Sequence, residues 1–225
     1  RKAAEYVKNK DFSHEANESL RLYNATMSIN RLEMLKAEIN LEIAEATNAN
    51  QSLMNGHLTN QAYAEYKRQA GILGETFRPN KAEVKALVNG SFNDSDTWSG
   101  DFASRLWANH EDFVNQLNVV LRRSIIQGAN PTDVMFRFGK LFDRSAYEAK
   151  RLLVTEAARL QGDVQMDCYD KAGFDQYIFI TEANPCKHCQ AVGEGPFYVK
   201  DRCVGINMYP MHPFCKCSTA AYSSR

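Results

Sequence analysis

Four of the six cysteines in this 225-residue chain, Cys186, Cys189, Cys215 and Cys217, gather in two close groups within its last 40 residues, while Cys168 and Cys203 stand alone. A disulfide framework is usually spread through a small secreted domain. Thiols crowded at one end of a chain otherwise poor in cysteine point instead to a metal site. Pro185-Cys186-Lys-His-Cys189 sets two sulfurs two residues apart, the spacing of a tight turn that aims both at one point. A second half-site, His212-Pro-Phe-Cys215-Lys-Cys217, follows after 22 residues. Mixed thiolate and imidazole donors suit tetrahedral zinc.

Five residues compete for four places. Cys215 and Cys217, two residues apart, are read as facing opposite ways, so only one is expected to ligate. The expected set is Cys186, Cys189, His212 and Cys215, with Cys217 as the substitute and His188 as a bystander. The competing expectation is that the thiols carry no metal, being free or joined in one or two disulfides. A surplus of protein donors argues for a closed structural zinc, one per chain, because a catalytic zinc keeps a position open for water. A deaminase would pair Pro-Cys-x-x-Cys with His-x-Glu. The residues two beyond His14, His57, His110, His188 and His212 are Ala16, Thr59, Asp112, Gln190 and Phe214. No glutamate is among them. HExxH, Walker, GxSxG and GxGxxG motifs are absent too, so no catalytic residue is assigned and a non-enzymatic protein is expected.

The first half of the chain reads as helix. No glycine or proline interrupts Glu15 to about Thr47, and Leu22, Ala25, Ile29, Leu32, Leu35, Ile39 and Ile43 step by threes and fours. That is the seam of a long packed helix. Thr59 is a plausible N-cap for a second helix bearing Ala62, Tyr63, Tyr66 and Ala70, which together predict a helical hairpin. Gly90 to Gly100 reads as a linker. Asp101 caps a helix bearing Phe102, Leu106, Phe113, Leu117, Leu121 and Ile125 that is expected to stop at Gly128. Asn130-Pro131-Thr132-Asp133 opens a short helix to about Phe142. Ser145-Ala-Tyr-Glu148, a capping box, opens another that continues to about Lys171, before Gly173. In that last helix Glu156 shares a stripe with Ala149, Leu153, Leu160 and Val164. A carboxylate there needs a partner. It is expected either to sit at a partly exposed edge paired with Arg159, or to pin the helix to the C-terminal module. Gln176–Thr181, Phe197–Val199 and Ser218–Tyr222 read as strands.

The expected fold is therefore α+β and mainly α: a helical region over 1–98, a helical core over 99–173, and a small Cys/His-rich, zinc-bound β module over 174–225. Hydrophobic content of 44% and balanced charge, 27 basic against 27 acidic residues, exclude dominant disorder and any global pull toward nucleic acid or acidic lipid. No apolar run is long enough for a bilayer span, no signal-peptide pattern opens the chain, and a start at Arg1 leads us to expect residues before it. Locally, Lys187, Lys200, Arg202 and Lys216 with Tyr198, Phe214 and Tyr222 keep a zinc-dependent nucleic-acid-binding module or nuclease as the alternative.

Trp107, Gly128 with the Asn-Pro-Thr-Asp cap, the Thr155-Glu156 pair, the Cys186-x-x-Cys189 knuckle and the string His212-Pro-Phe-Cys215-Lys-Cys217 together resemble the phage Mu protein F-like family. These are minor capsid or head-morphogenesis proteins of tailed bacteriophages, and the likeness covers about residues 100 to 222. The chain departs from the family pattern at Lys216, where arginine is usual, and at Val154, where arginine often precedes Thr-Glu. The resemblance implies a virion component of the capsid interior, present in host cytoplasm during assembly. Its implied partners are the portal and the major capsid or scaffolding protein, with contact to DNA in some members, and neither membrane nor small-molecule substrate. Some relatives end in a toxin domain; with Arg225 eight residues past Cys217, none is expected here.

Overall fold

The computed structural model describes residues 13–92, 100–127, 130–193 and 195–223. It is mainly helical, with long N-terminal helices and a small C-terminal antiparallel sheet, as expected. The elements in order are α1 (His14–Leu73), α2 (Lys81–Val88), β1 (Ser91–Phe92), β2 (Gly100–Asp101), α3 (Phe102–Ile126), α4 (Pro131–Lys171), β3 (Gln176–Ile180), α5 (Lys187–Ala191), β4 (Phe197–Tyr198), a 3-10 turn (Val199–Asp201) and β5 (Ser218–Tyr222). None of the described helices is long and apolar enough to cross a membrane. Gly128, most of the expected linker, and Glu194 lie outside the described residues.

The expected hairpin is instead one 60-residue helix, α1, on the order of 90 Å long. Its inner stripe does not stop in the polar stretch after Thr47. Buried Thr47, half-buried Gln51 and Met54, and buried Leu58, Ala62 and Tyr66 keep helical spacing throughout. Gln51 accepts a hydrogen bond from the Trp107 indole at 2.8 Å, which gives that stripe a polar anchor on α3. Thr59 is not a cap. Its hydroxyl donates to the Asn55 carbonyl at 2.8 Å, and Ser52 does the same to Asn48 at 3.1 Å, so both are satisfied inside the helix. Likewise α4 runs unbroken for 41 residues through Phe142 and Ser145, where a helix boundary was expected.

Other boundaries fall where cap chemistry placed them. Asp101 accepts from the Ser104 amide at 2.7 Å, and Asn130 accepts from the Thr132 amide at 3.0 Å ahead of Pro131. After α4, Gly173 takes a positive φ of 79°. Its amide bonds Asp170 while the Phe174 amide bonds Tyr169, the paired ending that only a left-handed residue permits cheaply.

The chain packs as two compact units, whose described residues fall within Arg1–Ala46 with His110–Ser145 and within Thr47–Asn109 with Ala146–Arg225. All three boundaries, at 46/47, 109/110 and 145/146, fall inside helices, whereas the division read from composition lies at 98/99 and 173/174. In the first unit Leu32, Phe113, Leu117, Leu121 and Leu141 form the core, with Leu35, Ile39 and Ile43 against it. The seam is thus covered from Leu32 onward, while Leu22 and Ile29 are exposed.

In the second unit Leu58, Ala62, Tyr66, Val84, Val88, Phe102, Leu106, Leu152, Leu160 and Val164 join α1, α2, α3 and α4. The three-stranded sheet, ordered β4-β3-β5 and antiparallel, has Tyr177 opposite both Phe197 and Ala221. Buried Tyr177 and Phe179 alternate with half-buried Gln176 and Ile178, so β3 buries chiefly one face rather than both. Gly162 permits close approach to α4: a Cβ there would lie 2.5 Å from the Met208 Cε and 3.3 Å from the Tyr209 carbonyl.

Glu156 is fully buried, not at an exposed edge, and keeps the expected partner Arg159 while gaining another. It binds Arg159 at 2.9 Å and Arg105 of α3, rather than the C-terminal module. Arg159, 1% exposed, also donates to Asp163 at 2.5 Å and to the Leu87 and Val88 carbonyls that end α2. Burial and the nearby Arg159 charge pull the Arg105 guanidinium down to about 10, still protonated at neutral pH. Removing the shared carboxylate would leave two buried cations facing each other.

Two substitutions check these features. Gly56 is exposed and a Cβ there meets nothing within 4 Å. Gly56→Ala should therefore stabilise a continuous α1 by about 0.5–1 kcal/mol, raising the midpoint of thermal unfolding, whereas a turn at this position would be weakened. Glu156→Gln should cost about 3–5 kcal/mol in denaturant unfolding, the range for breaking one side of a buried ion pair.

Candidate metal centre

The Cys/His residues reach one place by three local devices. Cys186 is the N-cap of α5, its sulfur accepting the Cys189 amide at 3.5 Å, which turns both side chains of the knuckle the same way. His212 follows the buried run Met208 to Met211. Phe214 then takes a left-handed φ of 58°, uncommon for a residue with a Cβ, and the Cys215 amide bonds back to the His212 carbonyl at 3.1 Å. Opposite facing of Cys215 and Cys217 does not hold: residues two apart along an extended stretch share a face, and both thiols are buried in one donor group. Both turn inward.

The donor atoms form two overlapping groups, Cys186-Cys189-His212 and Cys189-Cys215-Cys217, each with all its atoms within 4.8 Å of one another. Cys189, 1% exposed, belongs to both. Its sulfur lies 3.3 Å from the His212 Nε2 and 3.9 Å from the Cys215 sulfur. Tetrahedral ligation at about 2.3 Å per metal–sulfur bond sets sulfurs about 3.8 Å apart, so these spacings fit a shared ion. The cluster can hold a metal. All six cysteines are free thiols, with Cys168 and Cys203 outside the cluster, as is exposed His188.

The imidazole is oriented by its far side. His212 Nδ1 lies 2.8 Å from the Pro213 carbonyl, which can only accept, so Nδ1 carries the proton and Nε2 presents its lone pair to Cys189. Thiol acidity follows position. The Cys189 amide holds the exposed Cys186 thiol below its usual range. Burial pushes the Cys189 and Cys217 thiols up, and mutual bonding and crowding among the sulfurs add to this at Cys189. Several thiolates cannot share this space without a cation between them.

Two supports of the site went unread in the sequence. Thr155 on α4, buried, accepts from the Phe214 amide at 3.4 Å, and the Phe214 ring packs 6.0 Å from Tyr147. Deeper in, buried Glu65 accepts from Arg68, from Gln69 and, at 3.1 Å, from Gln165. The Gln165 carbonyl oxygen in turn accepts from Tyr209 at 2.9 Å and Thr219 at 2.8 Å. That network ties α1 and α4 to the C-terminal strands. Its only sequence sign was a set of polar residues at inward helical positions. A cleft of about 660 Å³ adjoins the cluster, lined among others by His57, Arg68, Gln161, Cys215, Lys216 and Cys217.

Because the raised thiols are protonated at neutral pH and bind metal only as thiolates, binding must release protons. Titration with Zn²⁺ at pH 6, 7 and 8 should show apparent affinity rising with pH, about tenfold per unit for each proton displaced. Cys189→Ala, which breaks both groups, should weaken binding by at least roughly 100-fold. Cys186→Ala and Cys217→Ala, each leaving one of the two groups intact, should lose less.

Comparison with protein-family models, curated proteins and solved structures finds no match to this chain.

Proposed function

We propose that this protein is a phage head-morphogenesis protein of the minor-capsid type. It is a non-enzymatic component of the virion interior that docks on the portal and on the major capsid or scaffolding protein. One structural zinc closes its C-terminal module. The supporting observation is that resemblance-bearing residues far apart in sequence are neighbours in space. Thr155 holds Phe214, and the knuckle Cys186-x-x-Cys189 meets His212, Cys215 and Cys217. Zinc is favoured among metals by a donor set of thiols with one imidazole, and a structural role by five candidate donors for four positions. The metal then acts through folding: it neutralises thiolates that the module could not otherwise hold together.

The cleft beside the cluster favours the second reading, a zinc-dependent nucleic-acid binder or nuclease. Its cationic lining is thin, however. Arg68 is bound to Glu65 by two bonds of 2.6 and 2.7 Å, which leaves Lys216 as the lysine or arginine of the lining without an ion pair among the described residues. Phe214, a candidate stacking residue, is packed against Tyr147.

Co-expression with the portal and capsid proteins encoded beside it should carry the chain into portal complexes or procapsids on a density gradient, with about one zinc per chain by elemental analysis. Recovery only as free protein would overturn the capsid role. Cleavage of DNA by the zinc-loaded protein would overturn the non-enzymatic one.

A further inference from the structure

Within the first unit, α3 and α4 enclose a groove of about 360 Å³ lined by Gln116, Val119, Val120, Arg137, Lys140, Leu141 and Arg144. Its floor is apolar: Leu141 belongs to the core of this unit, and Val119 is 53% exposed. One wall is cationic. Arg137, Lys140 and Arg144 fall at i, i+3 and i+7 of α4, on one helix face over about 10 Å. No lining residue is acidic. Arg144 is paired with Asp112 at 3.2 Å, but among the described residues Arg137 and Lys140 form no ion pair, Lys140 only lying 4.5 Å over the Phe136 ring.

We infer that this groove is a docking site for an acidic amphipathic helix of a partner protein. Two turns of such a helix place carboxylates at i, i+3 or i+4, and i+7, matching the basic row. The apolar residues beside them then cover Val119 and Val120. Charge complementarity selects this occupant over a basic or neutral one, and the apolar floor selects it over DNA, since a phosphate backbone would meet the cations and leave the valines wet. No residue of the Cys/His cluster takes part, so the inference stands apart from the metal and capsid readings.

The probe is a fluorescent 21-residue peptide with leucines on one face and glutamates flanking them, titrated into the full-length protein. Controls are the same peptide with glutamine for glutamate, polyglutamate, and 20-base-pair duplex DNA. The acidic amphipathic peptide should bind at least tenfold more tightly than each control, and its affinity should fall as salt rises. The double variant Arg137→Glu/Lys140→Glu and the single variant Val119→Asp change exposed residues. Each should lose at least tenfold in affinity while circular dichroism stays unchanged. Lys67→Glu/Lys150→Glu, equal in charge change and outside the groove, should bind as the parent does. Binding of polyglutamate or DNA as tight as the peptide, indifference to the groove variants, or no peptide binding would overturn the proposal.

Discussion

The C-terminal segment cannot hold itself together on hydrophobic burial. Its sheet has strands of five, two and five residues, and short chains bury too small a fraction of their surface to offset ordering. Its stability must come from what it leans on and from what crosses it. The leaning surface is α4, where Gly162 admits the Met208 side chain and the Tyr209 carbonyl, and Gln165 receives Tyr209 and Thr219. The crossing is the convergence of Cys186, Cys189, His212, Cys215 and Cys217. These two supports act on different ends of the same segment. The polar network fixes Tyr209 and β5, while the cluster fixes the knuckle and the bend between them.

The helical class of the first half and the cluster at the end were legible because each rests on local chemistry. Caps at Asp101 and Asn130 and the ending at Gly173 depend on bonds spanning a few residues, which sequence spacing encodes directly. Thr59 and Ser145 misled for a related reason. Serine and threonine serve as caps, yet inside a helix the same hydroxyl can bond the carbonyl four residues back, as Thr59 does. What keeps α1 continuous is a stripe running through Thr47, Gln51, Met54 and Leu58, and part of it is polar with a partner, Trp107, 56 residues away. A hydrophobic-period reading passes over such positions. The facing of Cys215 and Cys217 failed differently: alternation turns immediate neighbours to opposite faces and returns the second residue on to the first face, so a spacing of two leaves both thiols on one side.

Adjacent residues on a helix point about 100° apart, and the Thr155-Glu156 pair uses that divergence. Thr155 faces the Phe214 amide of the C-terminal segment, whereas Glu156 faces Arg105 of α3. One turn later Arg159 spans Glu156 and the carbonyl end of α2, where a cation complements the helix dipole. A single stretch of α4 therefore holds three other parts of its unit by hydrogen bonds and ion pairs. Such an arrangement works only if the helix is uninterrupted there, because a break would rotate Thr155 and Glu156 away from one or the other partner. The unbroken helix through Thr155 and Glu156 sets the angular relation on which both the buried charges and the support beneath the Cys/His cluster depend.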